Sequence, residues 1–202
     1  MVRGQDVYNF YKILLKKHGK QGWWPVFRDG GFQYTGEIPD GKQRFVIAIS
    51  AILTQNTSWK NVEKAVKNLH ELKLLDKKRL KEIPVDELAR AIRSSGYCNQ
   101  KARKIKEFVG FLDSGKEMTR ENLLGVWGIG KETADSILLY AYGKLCFVVD
   151  SYTKNVFVKK GLCEENIDYC GLQKLIIAGI PKDVNVYKEF HALLVAEGKV
   201  TT

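Results

Sequence analysis

Apolar residues recur three and four positions apart through almost the whole chain, and that rhythm admits little besides helices. Val7, Phe10, Tyr11 and Leu14 set it in residues 6–18. Residues 43–54 read as a strongly apolar helix, and residues 58–73 as another, opened by Ser58 as N-cap. A short helix starts at Pro84 and Asp86 and runs to about Ser94, with Gly96 as its stop. Asn99 caps a helix over residues 100–112, and Thr119 opens one that stops before Gly125. Residues 131–142 carry the stripe Ala134, Ile137, Leu138 and Ala141. Further helices follow a cap at Asp150 or Ser151 and lie near residues 171–178 and 185–196. Residues 23–42 break the rhythm with Trp-Trp-Pro, several glycines and a second proline, and read as a long loop. Residues 146–149 have the look of a strand, but the sequence offers no partner, so they read as a buried connector. The expected architecture is all-α, of roughly ten helices, with no internal repeat.

Length and composition set the class. The 202 residues are 45% hydrophobic and 28% charged, enough for one compact unit or two small lobes. The formal net charge of +10 favours polyanions, nucleic acid first and acidic membrane surfaces second; solubility alone is the alternative. The longest apolar run, residues 45–53, is about half the roughly 20 residues a spanning helix needs. Asp6, Asn9 and Lys12 interrupt the N-terminal segment, which leaves no signal core and makes a cytoplasmic location the expectation. Cys98, Cys146, Cys163 and Cys170 are spaced for neither a disulfide framework nor a zinc ribbon, so four free thiols and no metal site are expected.

One stretch carries chemistry. In GVWGIGKETADSIL, from residue 125, Gly128 and Gly130 flank Ile129 between two short helices. The glycines let the backbone turn tightly and approach a ligand, Ile129 plugs the turn into the core, and the amides ahead point outward. Such a turn suits a DNA phosphate and would position the protein without reading sequence; Lys131 adds positive charge. An ordinary helical hairpin with glycine caps is the bland alternative. Glu132 points away from the apolar stripe at 100° per residue, toward solvent or a cleft. It would otherwise only complement the helix dipole. Asp150 ends an apolar run and precedes a helix. It reads as an N-cap, and equally as a carboxylate that stabilises an oxocarbenium-like sugar or orients water toward it.

Taken together, the residues resemble a known family. L-x-x-V-W-G-I-G-K-x-T-A-D-S-I-L from residue 123, the V-V-D-S that ends at Ser151, LTQNTSWKNVEKA at 53–65 and GYCNQKARKIKEF at 96–108 occur in order. They are similar to the helix-hairpin-helix DNA glycosylases of the endonuclease III superfamily over about residues 43–197. The resemblance implies two helical lobes, one at 34–144 ending in the hairpin, the other formed by 1–33 plus 145–202. It implies that Gly128 and Gly130 hold the DNA backbone and that Asp150 is catalytic. It also implies that Gln55 enters the gap left by a flipped base, against the plainer reading of a loop-capping amide.

Two departures from the family narrow the expectation. Bifunctional members carry a lysine at the position of Glu132, where it attacks the sugar as an amine. A glutamate cannot, and Lys131 points about 100° away. The chain ends soon after HALLVAEGKV, where the family's four-cysteine iron–sulfur loop would follow, so no cluster is expected, while a monovalent cation at the hairpin stays open. Glu132 with Trp23, Trp24 and Phe45 is similar to the 3-methyladenine branch, in which an alkylated, positively charged base is drawn by aromatic faces and a carboxylate. A hydrophobic staple for the tryptophans and plain core for Phe45 are the alternatives. The expectation is a monomeric, monofunctional glycosylase acting on double-stranded DNA with damaged bases. Its rivals are a T:G or U:G mismatch glycosylase, a non-catalytic helix-hairpin-helix DNA-binding module and a plain basic helical interaction protein. Lys199 is left without a role.

Overall fold

A computed structural model describes residues 4–201; residues 1–3 and 202, the extremes of the second lobe's expected span, lie outside the described residues. The chain is mostly helical. Helix α1, Gly4–His18, turns Val7, Phe10 and Leu14 inward. The segment read as a long loop holds a small antiparallel hairpin of β1, Val26–Arg28, and β2, Gly31–Gln33. Asp29 and Gly30 supply the two positive-φ positions at its turn, at 50° and 75°. Three-residue strands are too short to show alternation in the sequence. The hairpin is fastened to α2, Gly41–Leu53, by Gln43, whose Nε2 donates to the Phe27 carbonyl at 2.7 Å while its Oε1 accepts the Phe27 amide at 2.8 Å.

Helix α2 is the central element. Asp40 caps it by accepting the Gln43 amide, and its buried run from Val46 to Leu53 packs against later helices on several sides. Around it stand α3, Trp59–Glu71, the unanticipated α4, Lys77–Glu82, α5, Val85–Ala91, and α6, Cys98–Asp113. Asp76 caps α4 through the Arg79 amide. The start of α6 differs from expectation. Gly96 and Tyr97 turn the chain with φ of 70° and 45°, so Tyr97 and not Asn99 occupies the cap. The reason is Lys101, which is 1% exposed and donates to the Leu53 and Ser95 carbonyls, both at 2.7 Å. Its ammonium satisfies a carbonyl at the end of α2 and draws the turn before α6 against it. Burial, with Lys104 nearby, pushes the Lys101 pKa down to about 8.

Helix α7, Arg120–Leu124, is capped by Thr119, and α8, Lys131–Ser136, runs on into a π-helical turn, Ile137–Ala141. Residues 146–149 form a connector without strand pairing, with Phe147, Val148 and Val149 buried. It leads to α9, Ser151–Lys159, then α10, Tyr169–Ala178, and α11, Val184–Thr201. Helix α11 packs on α9 and α1 through Phe10, Phe157 and Phe190, whose rings meet at 6.1 to 6.4 Å. Among the described residues no helix is long and apolar enough to cross a membrane.

The connector is held by a buried carboxylate. Asp135 is fully buried and accepts from Arg120 at 2.6 and 3.1 Å, Tyr169 at 2.6 Å, Gln173 at 2.8 Å and the Cys146 thiol at 2.9 Å. Gln173 also donates to the Phe147 carbonyl at 2.6 Å, and the Val149 amide donates to the Tyr169 hydroxyl at 3.4 Å. Three of the four connector residues are thereby fixed, and the chain reaches Asp150 in a set direction. Burial and Asp135 push the Cys146 thiol up to about 12, so it stays an inert donor.

Candidate active site

The Gly-x-Gly turn joins α7 to α8. Val126 and Ile129 are buried beneath it, and the Ile129 amide donates to the Val126 carbonyl at 3.0 Å. Gly128 has a φ of 81°, a backbone form that strains any residue with a side chain. Gly130 precedes α8 in extended conformation and is exposed, with open space where a β-carbon would lie. The outer surface of the turn is basic. Arg103 stacks over the half-exposed Trp127 ring at 4.1 Å, and Lys104 lies along Gly128. Lys131 is exposed beside α10, 3.4 Å from Cys170 Sγ and 5.9 Å from the Tyr169 ring centre.

Gln55 belongs to the same unit. Its Nε2 donates to Thr133 Oγ1 at 2.9 Å and to the Gly128 carbonyl at 3.2 Å, and its Oε1 accepts from Lys104. The loop after α2 is thus tied to the glycine turn.

Behind the turn opens a cleft of about 610 Å³. Trp23 and Trp24 form one wall together with Trp59 and Tyr34. Trp23 meets Trp59 edge-on at 4.6 Å and Trp24 meets it at 5.5 Å. Trp24 is anchored by its indole N–H, which donates to Ser50 Oγ at 3.0 Å. Phe45 does not join them. It lines a separate hollow with Leu75, Phe108 and Tyr142. Ala51, which faces the cleft from α2, is six residues further on, so Phe45 lies about 120° around that helix. Trp59 and Tyr34 are additions to the wall expected from the sequence; Trp59 is marked there by its place directly after the Ser58 cap, at the mouth of the LTQNT loop.

Glu132 and Asp150 both line the cleft. Glu132 keeps contact with water there, although protein surrounds much of its carboxyl group. Its pKa is raised, first by desolvation and next by the negative Asp150. Asp150 caps α9, with Oδ1 accepting the Thr153 amide at 2.7 Å. Burial works to raise the Asp150 pKa, but His191 and the Thr153 amide outweigh it, and the net direction is down. Two carboxyl groups in one cleft are thus pushed apart. One is held ionised, and the other takes up a proton more readily, or a cation in its place.

His191 and Tyr140, unmarked in the sequence, stand behind Asp150. The His191 Nε2 lies 3.5 Å from Asp150 Oδ2, and its Nδ1 is 2.6 Å from the Tyr140 hydroxyl. Lys199 also reaches the cleft. Among the described residues, no group of three or more His, Cys, Asp or Glu side chains is placed to hold a metal ion.

Comparison with known proteins gives this site a context. The model of the HhH-GPD superfamily base excision DNA repair protein matches residues 49–201. A provisionally named DNA repair glycosylase of Methanocaldococcus jannaschii is 38% identical over 96% of this chain and 87% of its own length. The structure of the H. pylori 3-methyladenine DNA glycosylase bound to 1,N6-ethenoadenine superimposes with a TM-score of 0.79 and 30% identity, covering 97% of this chain and 98% of that one. An endonuclease III–DNA complex gives a TM-score of 0.80 at 22% identity, over 96% and 85% of the two chains, and so shares the fold.

Proposed function

The chain belongs to the HhH-GPD superfamily of base excision DNA repair proteins, and from that membership we propose that it is a monofunctional DNA glycosylase that excises alkylated bases of the 3-methyladenine type. The observation that carries this reading is Glu132, a carboxylate that lines an aromatic cleft together with Asp150; the family resemblance puts the lysine of bifunctional members at this position.

The reaction follows from the groups present. A base alkylated at a ring nitrogen is positively charged, and its glycosidic bond is already weak. It must leave the stack to be reached, which costs a few kcal/mol and least at a damaged pair. The cleft is walled by Trp23, Trp24 and Trp59, and an aromatic face presented to a cation is worth about 0.5–2 kcal/mol. Glu132 adds Coulomb attraction. As the bond breaks, its electron pair stays with the base and cancels the base's charge, while positive charge develops on the sugar. Asp150, held ionised, stabilises that charge. Water then adds to the anomeric carbon and loses a proton, leaving an abasic strand uncut. Gly128, Gly130 and Lys131 hold the phosphate backbone, and Gln55 would leave its bonds to Gly128, Thr133 and Lys104 to enter the gap left by the base. No resident metal or cluster enters this scheme. The 30% identity to the H. pylori enzyme supports the choice of alkylated bases.

Asp150→Asn tests the reading. It should abolish release of 3-methyladenine from duplex DNA and spare duplex binding. A wild-type protein that releases thymine or uracil from T:G or U:G duplexes, and leaves alkylated bases in place, would overturn the substrate assignment.

A further inference from the structure

Two buried side-chain atoms lack a hydrogen-bond partner among the described residues, Thr153 Oγ1 and His191 Nε2. The second lies on the wall of the cleft and faces Asp150. His191 is 6% exposed, and the 3.5 Å from its Nε2 to Asp150 Oδ2 is just too long for a formed hydrogen bond. The ring is fixed from behind. Its Nδ1 is 2.6 Å from the Tyr140 hydroxyl, which also lies 3.2 Å from the Lys188 carbonyl. Tyr140 is itself 1% exposed, in the π-helical turn that follows α8.

Proton counting restricts this chain of contacts. The Tyr140 hydroxyl has one hydrogen to give. If it donates to Nδ1, the neutral ring carries its own hydrogen on Nε2. If it donates to the Lys188 carbonyl, Nδ1 must be the protonated nitrogen, and a neutral ring then turns a bare lone pair on the Asp150 carboxylate. That arrangement is repulsive. An imidazolium removes the repulsion by protonating both nitrogens. Both acceptable arrangements aim an N–H at Oδ2, and the shorter Tyr140 contact is the one to Nδ1. Of the charged groups around the ring, Asp150 faces Nε2 directly and favours a hydrogen there. Glu132 lines the same cleft, as do Lys60 and Lys199, whose positive charge opposes a charged ring, while Glu189 bears on the Tyr140 hydroxyl behind Nδ1.

We propose that His191 is a positioning residue for base release: its Nε2–H closes on Oδ2 and keeps Asp150 ionised and aimed at the sugar, with Tyr140 fixing the ring. Oδ1 is already held by the Thr153 amide at 2.7 Å, so His191 completes a two-oxygen clamp on the carboxylate. Without it, desolvation and the nearby Glu132 would favour proton uptake by Asp150, and the sugar cation would face a neutral acid. The inference rests on the reading of Asp150 as the catalytic carboxylate.

Three variants test it. His191→Phe removes both ring nitrogens, His191→Gln restores an N–H near the Nε2 position, and Tyr140→Phe removes the hydroxyl. Two quantities are followed: the Asp150 carboxyl titration by carbon NMR in the free protein, and the acid limb of single-turnover base release. His191→Phe should move both upward by about one pH unit. His191→Gln should recover most of the shift, and Tyr140→Phe should show a smaller one. Should His191→Phe not fold, Tyr140→Phe carries the test. An unmoved carboxyl titration in the folded variants overturns the proposal, even with base release intact. A shifted titration in a protein that releases no base from any lesion duplex overturns the functional reading instead and leaves the His191–Asp150 coupling standing.

Discussion

Lys104 lies across Gly128, with its Cγ, Cδ and Cε 2.5 to 2.8 Å from the point where a β-carbon on residue 128 would sit. The same ammonium bonds Gln55, whose amide reaches back to the Gly128 carbonyl and to Thr133. Helix α6, the loop after α2 and the glycine turn therefore share one set of contacts. Gly128→Ala would displace Lys104 and force alanine to a φ of 81°. The backbone strain alone is about 1–2 kcal/mol, which lowers Tm by roughly 2–8 °C in a chain of this size. Duplex affinity should fall with it, as read by thermal melting and fluorescence anisotropy.

The cleft wall makes a paired prediction. Trp59→Ala should reduce kcat/KM on a cationic lesion by about 2- to 30-fold, the equivalent of one lost cation–aromatic contact. Phe45→Ala should lower stability and leave lesion preference unchanged, because Phe45 lies in a different hollow. Competition between 3-methyladenine and a neutral lesion in one duplex pool separates the two effects.

Glu132 carries a pH signature. Its folded pKa is raised above the ordinary 4.5 by burial and by Asp150, so the folded state takes up a proton more readily than the unfolded chain. The associated stability is fully present below pH 4.5 and is lost as pH rises through the folded pKa. At neutral pH the ionised group therefore opposes folding. Glu132→Gln should raise Tm at pH 7, and that gain should shrink toward pH 4, while release of a cationic base falls. Scanning calorimetry across pH 4 to 8 checks the sign.

What could be read in the sequence follows its periodicity. The helices of residues 6–18, 43–54 and 58–73 are long enough to show an apolar stripe, and the structure holds each within a few residues. The two-residue Asp29-Gly30 turn and its three-residue strands are too short to show a period. The start of α6 is set by Lys101 reaching the ends of two other segments, a contact that local spacing does not contain. The site divides in the same way. Glu132 and Asp150 are marked by their places at helix starts. His191 and Tyr140 face inward on otherwise apolar helical stretches, and only the packing of α11 against the π-helical turn brings them to Asp150. The resemblance to the 3-methyladenine branch puts Phe45 in the aromatic wall, and helix rotation places it in a separate hollow.

The Asp135 cluster should matter for both stability and activity. Asp135→Asn keeps the shape but removes the charge that pairs Arg120 and accepts the Cys146 thiol. Breaking a buried pair costs about 3–5 kcal/mol, and Arg120, one-third exposed, brings this toward the lower end. Because the same cluster fixes the connector that ends at Asp150, single-turnover base release should slow more than duplex binding weakens.

The central claim is that a carboxylate, with no amine nucleophile, serves the sugar in this cleft, and reductive trapping tests it most directly. The protein is incubated with a duplex carrying 3-methyladenine in the presence of borohydride, and both released base and covalent complex are measured. Released base, an alkali-labile but uncut strand and no covalent complex are the predicted result. A protein–DNA adduct stable to denaturation would contradict it, since an amine would then have attacked the sugar.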